Sequence, residues 1–281
     1  MEHLQIRSAK AEARIFHQGA HIANFQPVGT AESVLFVSAD SLFRPATAIR
    51  GGVPVIFPWF GPHPEKSELP AHGFVRTKRW ELEEATESAA GVVRTVWIIS
   101  DDEESRTLWP HSFRLRLTIE AAEALHMVLQ VENTSPEPFT FEEALHTYLT
   151  VSDAREIRIR GLNGVEYLDK TAAMERKRER EQSIRITGET DRIYLDTESA
   201  CYIDDPGFAR TIEVSKSGSK TTVLWNPWIG RAAALSDFGD DEWQQMVCIE
   251  TTNAADNVIT LAPGATHQMT ATIRVLPLHQ P

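Results

Sequence analysis

The stretch FRLRLTIEAAEALHMVLQVE, residues 113–132, decides the fold. In residues 113–120, Phe113, Leu115, Leu117 and Ile119 alternate with Arg114, Arg116, Thr118 and Glu120. Residues 125–132 repeat the pattern, with Leu125, Met127, Leu129 and Val131 set against His126, Val128, Gln130 and Glu132. Side chains alternate across a strand with period 2, so each run puts an apolar face on one side and a polar face on the other. The short link 121–124 reads as a hairpin turn.

The same period recurs outward from this hairpin. Residues 268–274 place Met269, Ala271 and Ile273 on one face. Further short strands are expected at 33–37, 92–99, 139–151, 156–160, 220–225 and 246–251. Asn163-Gly164, Pro206-Gly207 and Pro263-Gly264 punctuate them as turns. Helix is scarce. Residues 171–182 hold good helix formers without an apolar stripe and read as a solvated loop or one loose turn, and residues 240–245 read as a short helical turn. Many short strands with turns between them predict an all-β sandwich or barrel. No Pro/Gly/Ser linker or 20–50-residue repeat divides the chain, so residues 1–281 are expected to form one domain.

Bulk properties narrow the partners. The formal net charge of −12 argues against nucleic acid and anionic membranes, which need a basic footprint. No apolar run reaches the length of a membrane span. The N-terminal stretch lacks the apolar segment of a signal peptide, and the cytoplasm is the expected location. The two cysteines, Cys201 and Cys248, sit in apolar runs without metal-like spacing; a disulfide between them is one reading, and two free buried thiols in a reducing compartment is the simpler one.

Four stretches interrupt apolar sequence with chemistry. In IRGGVPVIFPWFG (49–61), Arg50 precedes two glycines that permit close approach of backbone to ligand, while Trp59 and Phe60 offer flat faces for a sugar ring. In LPAHGFVRTKRW (69–80), His72 is followed by Arg76, Lys78 and Arg79, the densest positive patch of the first hundred residues and suited to an anionic group. In FTFEEALHTYLTV (139–151), His146 stands between apolar neighbours, and downstream Asp169 follows a turn. In MVCIETTN (246–253), Glu250 ends an apolar run, where a carboxylate is costly to bury unless paired. Taken singly, each has an ordinary structural reading: a packed loop with a solvated arginine, a basic surface strand, a structural histidine, an exposed strand-end glutamate. Phosphate-loop, zinc-protease and nucleophile-elbow signatures are absent, and His63 and His72 lack a third partner for a metal.

Read in order, these stretches resemble a known family. Arg50-Gly51-Gly52-Val53-Pro54, Phe57-Pro58-Trp59-Phe60-Gly61 and His72-Gly73-Phe74-Val75-Arg76 are similar to the N-terminal signature of the hexose-6-phosphate mutarotases (glucose-6-phosphate 1-epimerases) of the aldose 1-epimerase superfamily. The resemblance continues through Ala144-Leu145-His146-Thr147-Tyr148, Gly161-Leu162, Tyr167-Leu168-Asp169, Asp191-Arg192-Ile193-Tyr194, Trp225-Asn226-Pro227-Trp228, Ile249-Glu250-Thr251 and Leu261-Ala262-Pro263-Gly264. It implies a galactose-mutarotase-like large β-sandwich, mostly antiparallel. It also implies that His146 and Glu250 are catalytic, that Arg50, Arg76 and Asp169 contact substrate, and that His72 lines the same cleft. Some relatives carry Gln before the His-Gly motif as a sugar contact; Ala71 stands there in this chain and leaves only backbone.

The implied reaction interconverts the anomers of a hexose 6-phosphate by ring opening and reclosure. It needs one base and one acid, with no cofactor and no metal. Glu250 suits the base and His146, with a reference pKa of about 6.5, the acid. A neighbouring carboxylate such as Asp169 or Glu250 would keep more of the histidine protonated. Arg50 and Arg76, with Lys78, would hold the phosphate of a small sugar phosphate substrate, and a monomer is expected. Two rivals keep the fold: an aldose 1-epimerase of unphosphorylated sugars, which has no use for the arginines, and a carbohydrate-binding module without catalysis.

Overall fold

The computed structural model describes residues 1–279. The hairpin at its centre pairs Phe113–Ala121 with Ala124–Asn133 in the register set by the alternation, Leu117 opposite Leu129 and Ile119 opposite Met127. It lies within an eight-stranded sheet in the order Arg158–Arg160, Cys201–Asp205, Arg210–Ser217, Thr266–Pro277, Ala124–Asn133, Phe113–Ala121, Val93–Ser100, Glu81–Glu87. The inward residues Leu115, Leu117, Leu125, Met127 and Leu129 are fully buried. Each side chain of this kind contributes about 1.5–3 kcal/mol on leaving water.

A second eight-stranded sheet runs Glu175–Arg178, Glu166–Asp169, Thr190–Tyr194, Thr221–Asn226, Met246–Asn253, Glu143–Leu145, Val55–Ile56, with Tyr148–Thr150 also paired to Met246–Asn253. Its strands alternate between two apolar environments. Tyr167, Tyr194, Leu224, Val247 and Ile249 join the large core shared with the first sheet. Leu168, Ile193 and Val223 form one smaller cluster on the other face, and Tyr148, Cys248 and Met246 belong to another. All named strand pairs are antiparallel, and the architecture is the expected sandwich. A three-stranded sheet, His3–Arg7, Ala11–Phe16 and His21–Pro27, adds to the core beyond the strands expected from the sequence.

Three expectations are corrected. Residues 33–37 make only isolated bridges, Leu35 to Leu149 and Val37 to Gly51. Residues 139–151 are not one strand but three, Phe139–Phe141, Glu143–Leu145 and Tyr148–Thr150. Residues 171–182 hold the strand Glu175–Arg178 rather than only loop. Charge explains the last case. Arg178 binds Glu166 at 2.9 Å and Lys177 binds Asp169 at 2.8 Å across the pairing. An edge strand of this composition is held by its backbone ladder and ion pairs, and it discourages edge-to-edge association.

Two glycines fix the approach to the second sheet. Gly51 (φ 113°) lies so close to its neighbours that a Cβ there would sit 2.4 Å from the Phe36 carbonyl oxygen. Gly73 (φ 66°) is tighter, with Phe57 O at 1.9 Å from such a Cβ. Only glycine combines these dihedrals with this proximity. They seat the segments carrying Arg50 and His72 against the sheet.

Candidate active site

The break at 145–148 builds the site. On either side of it the register against Met246–Asn253 is the same: Leu145 opposes Thr251 and Tyr148 opposes Cys248. That register puts His146 directly across from Glu250. The ladder opens there, because the His146 amide donates instead to Pro54 O at 3.0 Å and the Tyr148 amide to Gly52 O at 2.9 Å. His146 Nε2 stands 3.3 Å from Glu250 Oε1. The Tyr148 ring stacks on the imidazole at 4.8 Å and 12°. The edges of His72 and Trp225 approach it at 5.6 and 6.3 Å.

Alternation sorts the remaining residues. Glu250 opposes Val223, which opposes Ile193, which opposes Leu168; one pair along, Cys248 opposes Trp225, which opposes Asp191. These residues share the face carrying His146. Asp169 pairs with Arg192 and falls on the opposite face. Its carboxylate there accepts from the Thr171 amide and hydroxyl and from Lys177 Nζ. The expectation that Asp169 shares the cleft with His146 and Glu250 is therefore corrected. Asp191 occupies that face instead, with Lys170 Nζ 2.8 Å from its carboxylate and 5.7 Å from the Phe60 ring centre.

The structure brings Arg50, His72 and Arg76 to the pair. Arg50 donates to Asp237 Oδ1 at 3.0 and 3.2 Å and to Tyr148 Oη at 3.2 Å. Arg76 donates to Ala71 O at 2.8 Å, and it has no carboxylate partner among the described residues. The backbone of Ala71 thus serves the arginine. His72 takes a left-handed backbone (φ 67°) and accepts at Nδ1 from the Gly61 amide. Lys78 is a further correction: it turns outward to Asp102 and Glu104 at 2.8 and 2.9 Å, and Arg79 binds Glu2. Lys78 therefore does not join Arg50 and Arg76.

Burial and the cations set the protonation of the site. Burial, helped by His72, Arg76 and Arg50, depresses His146 well below the usual imidazole range. Burial raises Glu250 well above the usual carboxylate range; Lys170 opposes this and Asp191 adds to it. The 3.3 Å approach favours charge on both, against these shifts. Glu250 and His146 therefore titrate as a coupled pair rather than as two independent groups. His72 is pushed down to about 3 by burial and then by Arg76, Lys170 and Arg50, so it is a neutral ring. Burial likewise raises the Tyr148 phenol to about 12. Asp191 is raised by burial, and its Oδ1 has no partner among the described residues.

Asp191, Lys170, Tyr148, Trp225 and Asp237 were not singled out from sequence as site residues. Tyr148, Asp191 and Trp225 belong to family-like motifs, but alternation locates them on the site's face only once strand partners are known. Lys170 follows directly after Asp169 and was hidden by that residue.

A sandwich whose outer sheet face gathers a histidine–glutamate pair, aromatic rings and cations is the architecture of a sugar isomerase of the mutarotase type. Residues 2–274 match the aldose 1-epimerase family model, and the chain belongs to that family. It is 35% identical over 94% of its length to a protein of Cenchrus ciliaris named "Putative glucose-6-phosphate 1-epimerase", 82% of which is covered. It is 33% identical to a protein of the same name from Escherichia coli K12, over 91% of this chain and 83% of that one. Among solved structures, a "putative mutarotase" from Salmonella typhimurium superposes with a TM-score of 0.91 at 29% identity, over 97% of this chain and 90% of the other.

Proposed function

We propose that the chain is a hexose 6-phosphate mutarotase, with Glu250 and His146 as its proton-transfer pair. The observation carrying this reading is the position of Arg50 and Arg76. In a chain of net charge −12, two guanidinium groups act on the same buried histidine. The names of the plant and bacterial relatives agree with a phosphorylated substrate.

The phosphate has a second effect beyond anchoring. Bound at Arg50 and Arg76, a dianion cancels part of the positive field that keeps His146 neutral. In this reading the pair shares one proton, which then moves toward the imidazole and leaves Glu250 a carboxylate. Glu250 removes the proton of the C1 hydroxyl while His146 delivers its proton to the ring oxygen. The C1–ring oxygen bond breaks and C1 becomes an aldehyde carbon. After rotation about C1–C2, His146 takes the proton of the C5 hydroxyl as its oxygen attacks the other face of C1, and Glu250 returns its proton to O1. The pair ends as it began. Asp191, through its unpartnered oxygen, and neutral His72 hold sugar hydroxyls, and Trp225 and Phe60 flank the ring. Asp169 acts one step removed, by holding the turn that carries Lys170.

NMR exchange spectroscopy on glucose 6-phosphate and on glucose tests the reading. Acceleration of anomer exchange confined largely to the phosphate ester is expected. Equal acceleration of both sugars would reassign the chain to free-sugar epimerases, and binding without acceleration would make it a carbohydrate-binding module.

A further inference from the structure

Cys248 has no part in that chemistry, yet it lies against it. It is two residues before Glu250 on one strand and therefore on the same face, and it opposes Tyr148, the next same-face residue after His146. One ligand atom from each of His146, Cys248 and Glu250 falls within 4.8 Å of the other two. All three side chains are buried, and Glu250 Oε2, on a residue 1% exposed, has no hydrogen-bond partner among the described residues.

We propose that His146, Cys248 and Glu250 form a binding site for a thiophilic divalent cation, with zinc the best-matched ion, and that occupancy silences the proton-transfer pair. Nitrogen, sulfur and carboxylate oxygen are the donor set zinc takes, at about 2.0–2.3 Å, which places tetrahedral ligands about 3.3–3.7 Å apart. His146 and Glu250 already meet that spacing at 3.3 Å. Rotation of the Glu250 carboxyl, whose second oxygen is unengaged, and a shift of the thiol of no more than about 1 Å close the remainder. Three protein ligands leave a fourth position on the open side, beside the part of His146 that remains exposed.

Binding is balanced by proton release. The S–H bond of Cys248 breaks as the Zn–S bond forms, and the proton shared by His146 and Glu250 leaves as both become ligands; both protons go to solvent. The metal then occupies the His146 Nε2 and Glu250 oxygen lone pairs that the proposed mechanism uses for the sugar's protons. Silencing rests on the proposed mutarotase chemistry, whereas metal binding does not.

Cobalt(II) is the direct probe. Added alone to the full chain, it is expected to give a thiolate-to-cobalt charge-transfer band that zinc abolishes. Cys248→Ala should lose the band and Cys201→Ala should keep it, and Cys248→Ser serves if the alanine variant melts early. In the anomer-exchange assay on glucose 6-phosphate, zinc should inhibit the unmodified chain reversibly, with EDTA restoring the rate. Cys248→Ala should keep its metal-free rate and need at least a tenfold higher zinc concentration. Absence of the band, or an identical band in Cys248→Ala, overturns the site. Unchanged zinc inhibition in Cys248→Ala overturns the silencing. A Cys248-dependent band in a chain that accelerates no anomer exchange would uphold the site while the mutarotase reading failed.

Discussion

His146 and Glu250 are a directly opposed cross-strand pair at a place where the ladder between their strands is open. Neighbouring same-face positions, Ala144 with Thr252 and Tyr148 with Cys248, keep the ordinary register on either side. The pair's 3.3 Å separation is thus set by sheet geometry, and a conservative change at one member leaves the other in place. Glu250→Gln should slow anomer exchange by about 10²–10⁴-fold. The melting temperature should hold or rise, because a costly buried acid becomes a neutral amide. Exchange spectroscopy and thermal melts check both halves; near-normal exchange removes Glu250 from the mechanism.

Arg76 lacks an acidic partner among the described residues, so its charge is available to a ligand. Arg76→Ala should raise KM for glucose 6-phosphate about 10–100-fold, the equivalent of one or two charge-assisted hydrogen bonds. Binding of unphosphorylated glucose should change little. Parallel losses for both sugars would show that Arg76 does not read the phosphate.

The field argument makes a prediction about pH. Active pairs carry one proton, so the alkaline limb of the rate profile marks its loss. A phosphate dianion at the arginines holds that proton more firmly. The alkaline limb of kcat should therefore lie at higher pH than that of kcat/KM, which reports the free enzyme. Superimposed limbs would show that phosphate does not tune the pair.

Asp169 and Asp191 separate by face. Asp191→Asn breaks the pair with Lys170 and should raise KM about tenfold or more, in line with about 1.5–3 kcal/mol for a charged hydrogen bond. Asp169→Asn should act mainly on the local turn, with a lower melting temperature and a smaller effect on KM. Steady-state kinetics and melts on both variants decide it, and a reversal of the two outcomes would return Asp169 to the cleft.

Stability has its own pH signature away from the cleft. His267 Nε2 lies 2.9 Å from the fully buried Glu143 carboxylate, which Asn253 also donates to. Burial works to lower the His267 pKa, but the hydrogen bond and charge of Glu143 outweigh it and raise it. A raised folded-state value means the contribution is complete below the unfolded pKa of about 6.5 and is lost as pH rises through the folded one. Denaturant melts should show stability falling across that window, and His267→Gln should flatten the dependence.

The sequence declared the sandwich where one face of a strand is apolar and the other polar. Residues 113–132 did so without ambiguity, whereas the second sheet is covered on both faces, and its runs, such as Val247 to Ile249, show no alternation to read. His146 and Glu250 were found by motif, since nothing local says that two residues about a hundred positions apart share a register. Asp169 was preferred over Asp191 for the same reason: which of two nearby carboxylates enters the cleft depends on strand partners that no local pattern reveals. Lys78 looked like an anion ligand until Asp102 and Glu104, distant in sequence, claimed it.

The face-sorting of Met246–Asn253 bears on how this gene can change. Substitutions along the strand alter one side chain at a time and leave the rest facing as they were. Removal of a single codon between Val247 and Glu250 would transpose the two faces on one side of the gap. Ile249 or Val247 would then turn toward the cleft, and a carboxylate or thiol toward the core. In-frame deletions should therefore be scarce in this strand among functional variants, while the loops beyond its ends accept changes in length.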